Sequence, residues 1–231
     1  MAHLDQAQVL AIRKDWLALL KRQPAIAIIR AADVKTGLLM AKAAASGGFE
    51  LIEVAWNHNA DPLRMMAEIR QALPDCTIGV GTILDEADLR YAIASGAKFC
   101  FTPHTDVQLI EAAIAQNIPL VAGAMTPTEI VTAWRSGAAS VKVFPISTLG
   151  DAVYIRSLRG PLNSIPLIPT GGVTSESAPR LLAAGAVAVG LSTALFPSAE
   201  VARADWAAIE ARSRYLLTLL ANSAAIDSSV A

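Results

Sequence analysis

The sequence predicts a single α/β domain, a closed (β/α)8 TIM barrel with an extra N-terminal helix. Three observations support this fold class. Short apolar runs alternate with helical stretches eight times along the chain, and eight βα units imply a closed barrel. Glycine follows small residues just before several of these runs, at Gly47, Gly96, Gly137 and Gly185, as expected for helix C-caps in a weak internal repeat. A length of 231 residues is ordinary for one such domain.

The predicted elements follow one another without a linker. Apolar residues at helical spacing predict a leading helix over Leu4 to Leu20, within residues 1–23. The barrel core is predicted over residues 24–197, followed by a closing amphipathic helix, Asp205 to Leu220, within 198–221 and a loose tail at 222–231. The predicted strands are Ala25 to Ile29, Leu51 to Ala55, Thr77 to Gly81, Phe99 to Thr102, Pro119 to Ala122, Ser140 to Phe144, Leu167 to Thr170, and Ala186 to Gly190.

Several helices between these strands carry start signals. Thr126 precedes a proline and has Glu129 three residues later, which is the pattern of a capping box. Asp61 also precedes a proline and is predicted to cap the next helix. Thr105, with Gln108 three residues later, is predicted as a further N-cap.

Composition limits the partners of the protein. The formal net charge is −1 and there are no basic runs, which argues against nucleic acid or an anionic membrane and favours a small molecule. The first ten residues include an aspartate and no long apolar core, so we expect no signal peptide, no membrane span and a cytoplasmic location. Cys76 and Cys100 are expected to be buried thiols without a disulfide.

One lysine stands inside an apolar strand. Lys142 lies between valines in the run that ends at Pro145, although lysine is almost never fully buried without a partner. Alternation places Ser140, Lys142 and Phe144 on one face of this strand. Desolvation on that face would lower the pKa of the lysine, and a free amine can attack a ketone to form a Schiff base. The alternative is a lysine at the strand end that reaches water.

One glutamate is set in a second apolar strand. Glu53 lies in the run L-I-E-V-A-W, where an isolated carboxylate would be costly. A carboxylate close to an imine-forming lysine can transfer protons through the carbinolamine, imine and enamine stages. The alternative is a structural ion pair in which Glu53 only neutralises Lys142.

Glycines at the ends of the last two strands predict an anion site. Thr170-Gly171-Gly172 and Gly190-Leu191-Ser192 stand where barrels commonly bind phosphate on backbone N–H groups. Arg30, at the end of the first strand, is a candidate for binding a carboxylate or a phosphate, with a surface arginine as the alternative. His58 and His104 are expected to be solvated loop residues, and no metal site is expected.

Five motifs occur in order along the chain. They are I-E-V at Ile52 to Val54, G-V-G-T at Gly79 to Thr82, F-T-P at Phe101 to Pro103, the lysine stretch Gly137 to Gly150, and P-T-G-G-V at Pro169 to Val173. Together they resemble the class I 2-keto-3-deoxy-6-phosphogluconate/4-hydroxy-2-oxoglutarate (KDPG/KHG) aldolase family, over about Pro24 to Pro197.

The resemblance implies a role for each candidate residue. Lys142 would be the Schiff-base lysine, and Glu53 would be the acid/base group. The residues implied at the pyruvate end of the substrate are Thr82, Pro103, Phe144 and Thr170. Those implied at its distal end are Gly171, Gly172, Gly190, Leu191 and Ser192.

The chain departs from the family pattern after the second strand. The family motif usually continues to Thr-Leu-Arg, and that arginine holds the substrate carboxylate, whereas this chain has Ala55-Trp56-Asn57. The end of the first strand resembles the 6-phosphogalactonate branch, so Arg30 is expected to supply the missing charge. Thr170 is more similar to the gluconate branch, which leaves the preferred sugar epimer open.

The resemblance therefore implies a lyase that reversibly cleaves a 2-keto-3-deoxy-6-phospho sugar acid, or a related 4-hydroxy-2-oxo acid, to pyruvate and an aldehyde. It implies a small-molecule 2-oxo acid substrate, no cofactor, no metal and a homotrimer. Oxaloacetate decarboxylation through the same enamine is the nearest alternative activity. Because the family arginine is missing, a second alternative is a barrel that binds phosphorylated acids without turnover.

Overall fold

The computed structural model describes residues 5–56 and 61–227, with side chains described as far as residue 222. Eight parallel strands form one sheet in the order β7-β6-β5-β4-β3-β2-β1-β8, and the isolated bridge between Thr170 and Gly190 joins the two end strands. The predicted (β/α)8 barrel is confirmed. The strands are β1 (Ala25–Ile29), β2 (Leu51–Ala55), β3 (Thr77–Gly81), β4 (Cys100–Phe101), β5 (Leu120–Ala124), β6 (Ser140–Val143), β7 (Leu167–Pro169) and β8 (Val189–Leu191).

Helices cover the outside of this barrel. Apolar side chains from both the helices and the strands form one continuous core. None of the described helices combines the length and the apolarity needed to cross a membrane. The helices are α1 (Gln6–Arg22), α2 (Val34–Ser46), α3 (Pro62–Ala72), α4 (Glu86–Ala94), α5 (Val107–Ala115), α6 (Pro127–Arg135), α7 (Asp151–Arg159), α8 (Ser177–Ala183), α9 (Ser198–Ala202) and α10 (Trp206–Asp227).

The leading helix α1 closes the amino-terminal end of the barrel. Its Trp16 is fully buried against Phe99 and Phe101, with ring centroids 5.2 and 6.3 Å apart. The indole N–H of Trp16 donates a hydrogen bond of 2.9 Å to the Ser140 hydroxyl on β6. This end of the barrel is therefore filled by aromatic side chains, and the opposite end, where the strands finish, remains for a site.

Two of the three predicted helix N-caps are confirmed. Thr126 and Glu129 form the predicted capping box, and Asp61 caps α3. The predicted Thr105 cap is wrong, because Asp106 accepts the N–H groups that begin α5, while the Thr105 hydroxyl donates to the Gly123 carbonyl on β5. A carbonyl on a neighbouring strand cannot be recognised from the local sequence.

Two boundaries differ at the C-terminus. The closing helix predicted over Asp205 to Leu220 corresponds to α10, which continues to Asp227, and the separate short helix α9 precedes it. The tail predicted to be loose from residue 222 is therefore helical over most of its length. Ala224 and Ala225 have high helix propensity, which favours continuation of a helix that is already nucleated.

Candidate active site

Two buried ionisable side chains lie inside the barrel wall. Lys142 on β6 is 3% exposed and Glu53 on β2 is 1% exposed. In the sheet, Lys142 is level with Gly123 on β5 and Ile168 on β7, and Glu53 is level with Ile28 on β1 and Gly79 on β3. Neither residue is at a frayed strand end, so the alternative in which the lysine reaches water does not hold.

Burial shifts the pKa values of Lys142 and Glu53 in opposite directions. Desolvation lowers the pKa of Lys142, and the Glu53 carboxylate only partly opposes this shift. Desolvation raises the pKa of Glu53, against the positive charges of Lys142 and Arg30. Both pKa shifts are toward the neutral form, and the neutral amine and the neutral carboxylic acid are the forms needed for nucleophilic attack and for proton donation.

The two groups are not joined in a direct ion pair. Within residues 5–56 and 61–227, the salt bridges are on other side chains, and none links Lys142 to Glu53. Glu53 Oε2 is buried and has no hydrogen-bond partner in the part of the chain that the structure describes. Lys142 Nζ lies 4.7 Å from the centroid of the Phe144 ring. A carboxylate retained only to neutralise the lysine would contact it, so this geometry argues against a purely structural pair.

The predicted glycines shape the wall near the lysine. Gly171 and Gly172 have φ values of 87° and 78°, in the left-handed region that favours glycine. A Cβ atom on Gly171 would lie 2.8 Å from the Phe144 ring. The backbone carbonyls of Thr170 and Gly171 accept hydrogen bonds from the residues that follow Pro145. The Thr-Gly-Gly turn therefore packs directly on the loop that follows Lys142.

A cavity of about 120 Å³ opens beside this turn. It is lined by residues at the ends of β1, β7 and β8, including Arg30, Thr170, Gly171, Gly172, Gly190 and Ser192. One cationic side chain thus faces a group of glycines whose backbone can approach a ligand closely. The cavity has the composition of a site for a small anion.

Cavity size alone would not find this site. A cleft of about 640 Å³, larger than this cavity, lies at the amino-terminal end of the barrel, between α2, α3 and the starts of β2 and β3. Its polar side chains, such as Lys42 and Asp75, are exposed. We place the site at the buried pair, because desolvated ionisable groups carry a chemical function that an open cleft does not.

Comparison with known proteins identifies the family of the chain. Residues 17–212 match the family described as "Aldolase: KDPG and KHG aldolase". The chain belongs to this family. It is similar to a 2-dehydro-3-deoxy-phosphogluconate aldolase of Pseudomonas aeruginosa, with 35% identity over 84% of this chain and 86% of the relative. The expected family and the expected aldolase type of lyase are confirmed at this level.

Solved structures show the same architecture. One is a native KDPGal structure, with a TM-score of 0.79, 26% identity, and coverage of 88% of this chain and 97% of the other. Another is a cube-shaped protein cage designed by fusing symmetric oligomeric domains, with a TM-score of 0.80 and 25% identity, covering 89% of this chain and 75% of the other.

Not every residue implied by the family resemblance lines the anion cavity. Leu191 is fully buried, and alternation along β8 places its side chain on the opposite face from Gly190 and Ser192. Val173 and Thr193 line the cavity and were missed, although each follows a predicted member directly in the chain. Continuing each glycine motif by one residue would have found both.

Thr82 and Pro103 mark the ends of β3 and β4. Thr82 has φ of 65°, an unusual left-handed conformation for a β-branched residue, and such strain is often found at functional sites. The backbone of Pro103 packs against Gly123, where a Cβ atom would overlap it. Both residues lie at the carboxyl-terminal end of the barrel, as the family motifs imply.

The remaining candidates have simpler environments. His104 is partly exposed, with its Nε2 3.9 Å from the Asp106 carboxylate. Cys76 and Cys100 are both free thiols. Cys100 is buried, and desolvation raises its pKa to about 12, whereas Cys76 is partly exposed, so the expected burial of Cys76 is wrong. Asn57, at the position of the family arginine, and His58 lie outside the described residues.

Proposed function

We propose that the protein is a class I aldolase that reversibly cleaves 2-keto-3-deoxy-6-phosphogluconate, or a related 4-hydroxy-2-oxo acid, to pyruvate and an aldehyde. The aldehyde is glyceraldehyde 3-phosphate for the phosphorylated substrate and glyoxylate for 4-hydroxy-2-oxoglutarate. The observation that carries this proposal is the buried Lys142 amine in the same barrel interior as the Glu53 carboxyl group, whose Oε2 has no hydrogen-bond partner among the described residues.

Lys142 supplies the nucleophile. The neutral amine adds to the C2 carbonyl of the substrate, and loss of water from the carbinolamine gives a protonated imine. Removal of the proton from the C4 hydroxyl then breaks the C3–C4 bond, whose electrons flow into the imine as the aldehyde leaves. Protonation of the resulting enamine at C3 and addition of water to the imine release pyruvate and restore the amine.

Glu53 transfers the protons that these steps require. As an acid it protonates the hydroxyl that leaves the carbinolamine, and as a base it accepts a proton when the C–C bond breaks. A raised pKa suits both roles, because the group must hold and release a proton near neutral pH. Phe144 packs near the amine and limits its access to water.

The cavity beside Gly171 and Gly190 is proposed to bind the distal phosphate of the substrate. Backbone N–H groups and Arg30 would donate to its oxygens, which are strong acceptors. The position of Arg30 in this cavity supports a phosphate role better than the sequence-based expectation that it replaces the family arginine at the carboxylate.

Two experiments test the reaction. Incubation with pyruvate and borohydride should leave a stable adduct on Lys142, because reduction traps an imine; a label on Lys98 or Lys35, or no label, contradicts the mechanism. A substrate panel with both phosphorylated epimers, 4-hydroxy-2-oxoglutarate and oxaloacetate identifies the preferred reaction. A barrel that only binds phosphorylated acids would turn over none of them.

We also propose a homotrimer in the cytoplasm. The similar chain that was built into a cage of symmetric oligomeric domains supports an oligomer. Light scattering should give three times the chain mass of 24.2 kDa, and a monomer would reject this assembly. Cell fractionation tests the location.

A further inference from the structure

Gly81 ends β3, and its backbone does not require glycine. Its φ is not among the positive values that several other glycines of the chain adopt. Glycine inside a strand weakens the strand, because it adds conformational entropy to the unfolded chain and packs no side chain. The reason for a glycine at this position must therefore lie in the space where its side chain would be.

The carboxyl group of Glu53 occupies that space. A Cβ atom built on Gly81 would overlap Glu53 Oε1 and would lie 2.5 Å from Cδ and 3.0 Å from Cγ, and these are its three nearest atoms. Gly79 is level with Glu53 in the sheet, yet a Cβ there would meet the Phe99 ring instead. The Glu53 side chain thus leans toward the carboxyl-terminal end of the barrel and lies over Gly81.

We infer that Gly81 is a positioning residue, whose missing side chain forms the compartment that holds the Glu53 carboxyl group in its reactive place. This inference rests on the proposed role of Glu53 as the proton-transfer group. Glu53 is almost fully buried, so its carboxyl group has little free space to move into. A methyl group at residue 81 must displace the carboxyl group from its place.

Gly81→Ala should therefore impair proton transfer more than substrate binding. We expect kcat to fall by about 10²-fold, the usual effect of a displacement near 1 Å, with KM changed by less than about threefold. A general structural defect would act differently, because it would lower the amount of active enzyme without a dependence on residue 53.

A double-mutant cycle distinguishes displacement of the Glu53 carboxyl group from a general structural defect. In the Glu53→Gln background, where the proton donor is already lost, Gly81→Ala should lower kcat by less than about threefold. An equal fall in both backgrounds overturns the inference, since Gly81 would then act independently of Glu53.

A double-mutant cycle in Tm tests the positioning role of Gly81 even if Gly81→Ala alone does not fold. Glu53→Ala removes the overlapping carboxyl group, so Gly81→Ala should lower Tm in the native background and have little effect in the Glu53→Ala background. Gly79→Ala, whose Cβ meets Phe99, is the matched control and should lower Tm equally in both. Equal losses for Gly81→Ala in both backgrounds overturn the inference.

The same cycle distinguishes this inference from the proposed function. If the protein cleaves no substrate in the panel, the aldolase proposal fails, but the coupling in Tm still reports whether Gly81 makes the space for Glu53. If cleavage occurs without coupling in Tm or kcat, the positioning role fails and the aldolase proposal stands.

Discussion

The two ends of the barrel differ in the hydrogen bonding of their buried polar groups. At the amino-terminal end, the Ser140 hydroxyl is fully buried and accepts a hydrogen bond from Trp16. Two residues further along the same face of β6, Lys142 is buried against the Phe144 ring, and Glu53 Oε2 across the barrel has no hydrogen-bond partner among the residues described. Buried polar groups are normally satisfied, so the unsatisfied end is the one where a substrate would complete the hydrogen bonds.

The two ends also differ in role, because one end is packed for stability and the other has room for a reaction. Trp16, Phe99 and Phe101 pack together and exclude water from one end. At the other end, glycines at positions 81, 171 and 190 leave room for side chains and ligands. Substitutions at the two ends should therefore affect different measurements.

The largest effect is expected for Lys142→Met. Loss of the nucleophile should lower kcat by roughly 10⁴-fold or more and abolish borohydride trapping with pyruvate. The free energy of unfolding should stay equal or rise, because a desolvated amine is replaced by an apolar side chain of similar length. Lys98→Met, at an exposed lysine, is the control and should keep full activity. Residual imine in Lys142→Met would point to another lysine.

Glu53→Gln should slow turnover by roughly 10² to 10⁴, the usual contribution of a positioned acid or base, while some imine still forms. Burial raises the pKa of Glu53 in the folded state. The folded state therefore holds this proton more tightly than the unfolded state, and the stability of the native protein falls as pH rises from the unfolded value of 4.5 through the raised one.

Glutamine does not ionise, so the variant escapes that loss. Thermal unfolding across pH should show a Tm advantage for Glu53→Gln that grows as pH rises above 4.5. A variant that unfolds at every pH would instead favour a structural pair that holds the barrel together.

Arg30→Ala tests the anion cavity. We expect kcat/KM for phosphorylated substrates to fall. The loss should be equivalent to about 1.5 to 3 kcal/mol of transition-state stabilisation, the range for a hydrogen bond to a charged group, and should be smaller for 4-hydroxy-2-oxoglutarate. Arg30→Lys is the matched variant, since it keeps the charge without the planar guanidinium. Equal losses for all substrates would place Arg30 at the common carboxylate, and no loss would remove it from the site.

The smallest effect is expected at the closed end. Trp16→Phe removes the hydrogen bond to Ser140 and should lower the free energy of unfolding by about 1 kcal/mol, plus the cost of any cavity, with kcat changed by less than about twofold. Ser140→Ala removes the partner, and the double variant should be less destabilised than the sum. Chemical denaturation measures all three. A large loss of kcat would show that the two ends are coupled.

The sequence patterns of the strands are sufficient to predict the barrel and to mark Lys142 and Glu53 as candidate catalytic residues. A lysine between valines before F-P, and a glutamate inside L-I-E-V-A, are informative because each charge breaks an apolar run, and alternation then assigns its face. Eight βα repeats determine the barrel, since eight parallel units close on themselves. These signals are local, so they can be read without knowing which strands become neighbours across the barrel.

Only the tertiary structure decided which groups meet. Strand register and closure bring Arg30 on the first strand to the glycines of the last two, because β1 pairs with β8 and Thr170 bridges to Gly190. They also place the carboxyl group of Glu53 over Gly81. Contacts between residues far apart in the chain depend on register and side-chain direction, and neither is determined by the residue types alone.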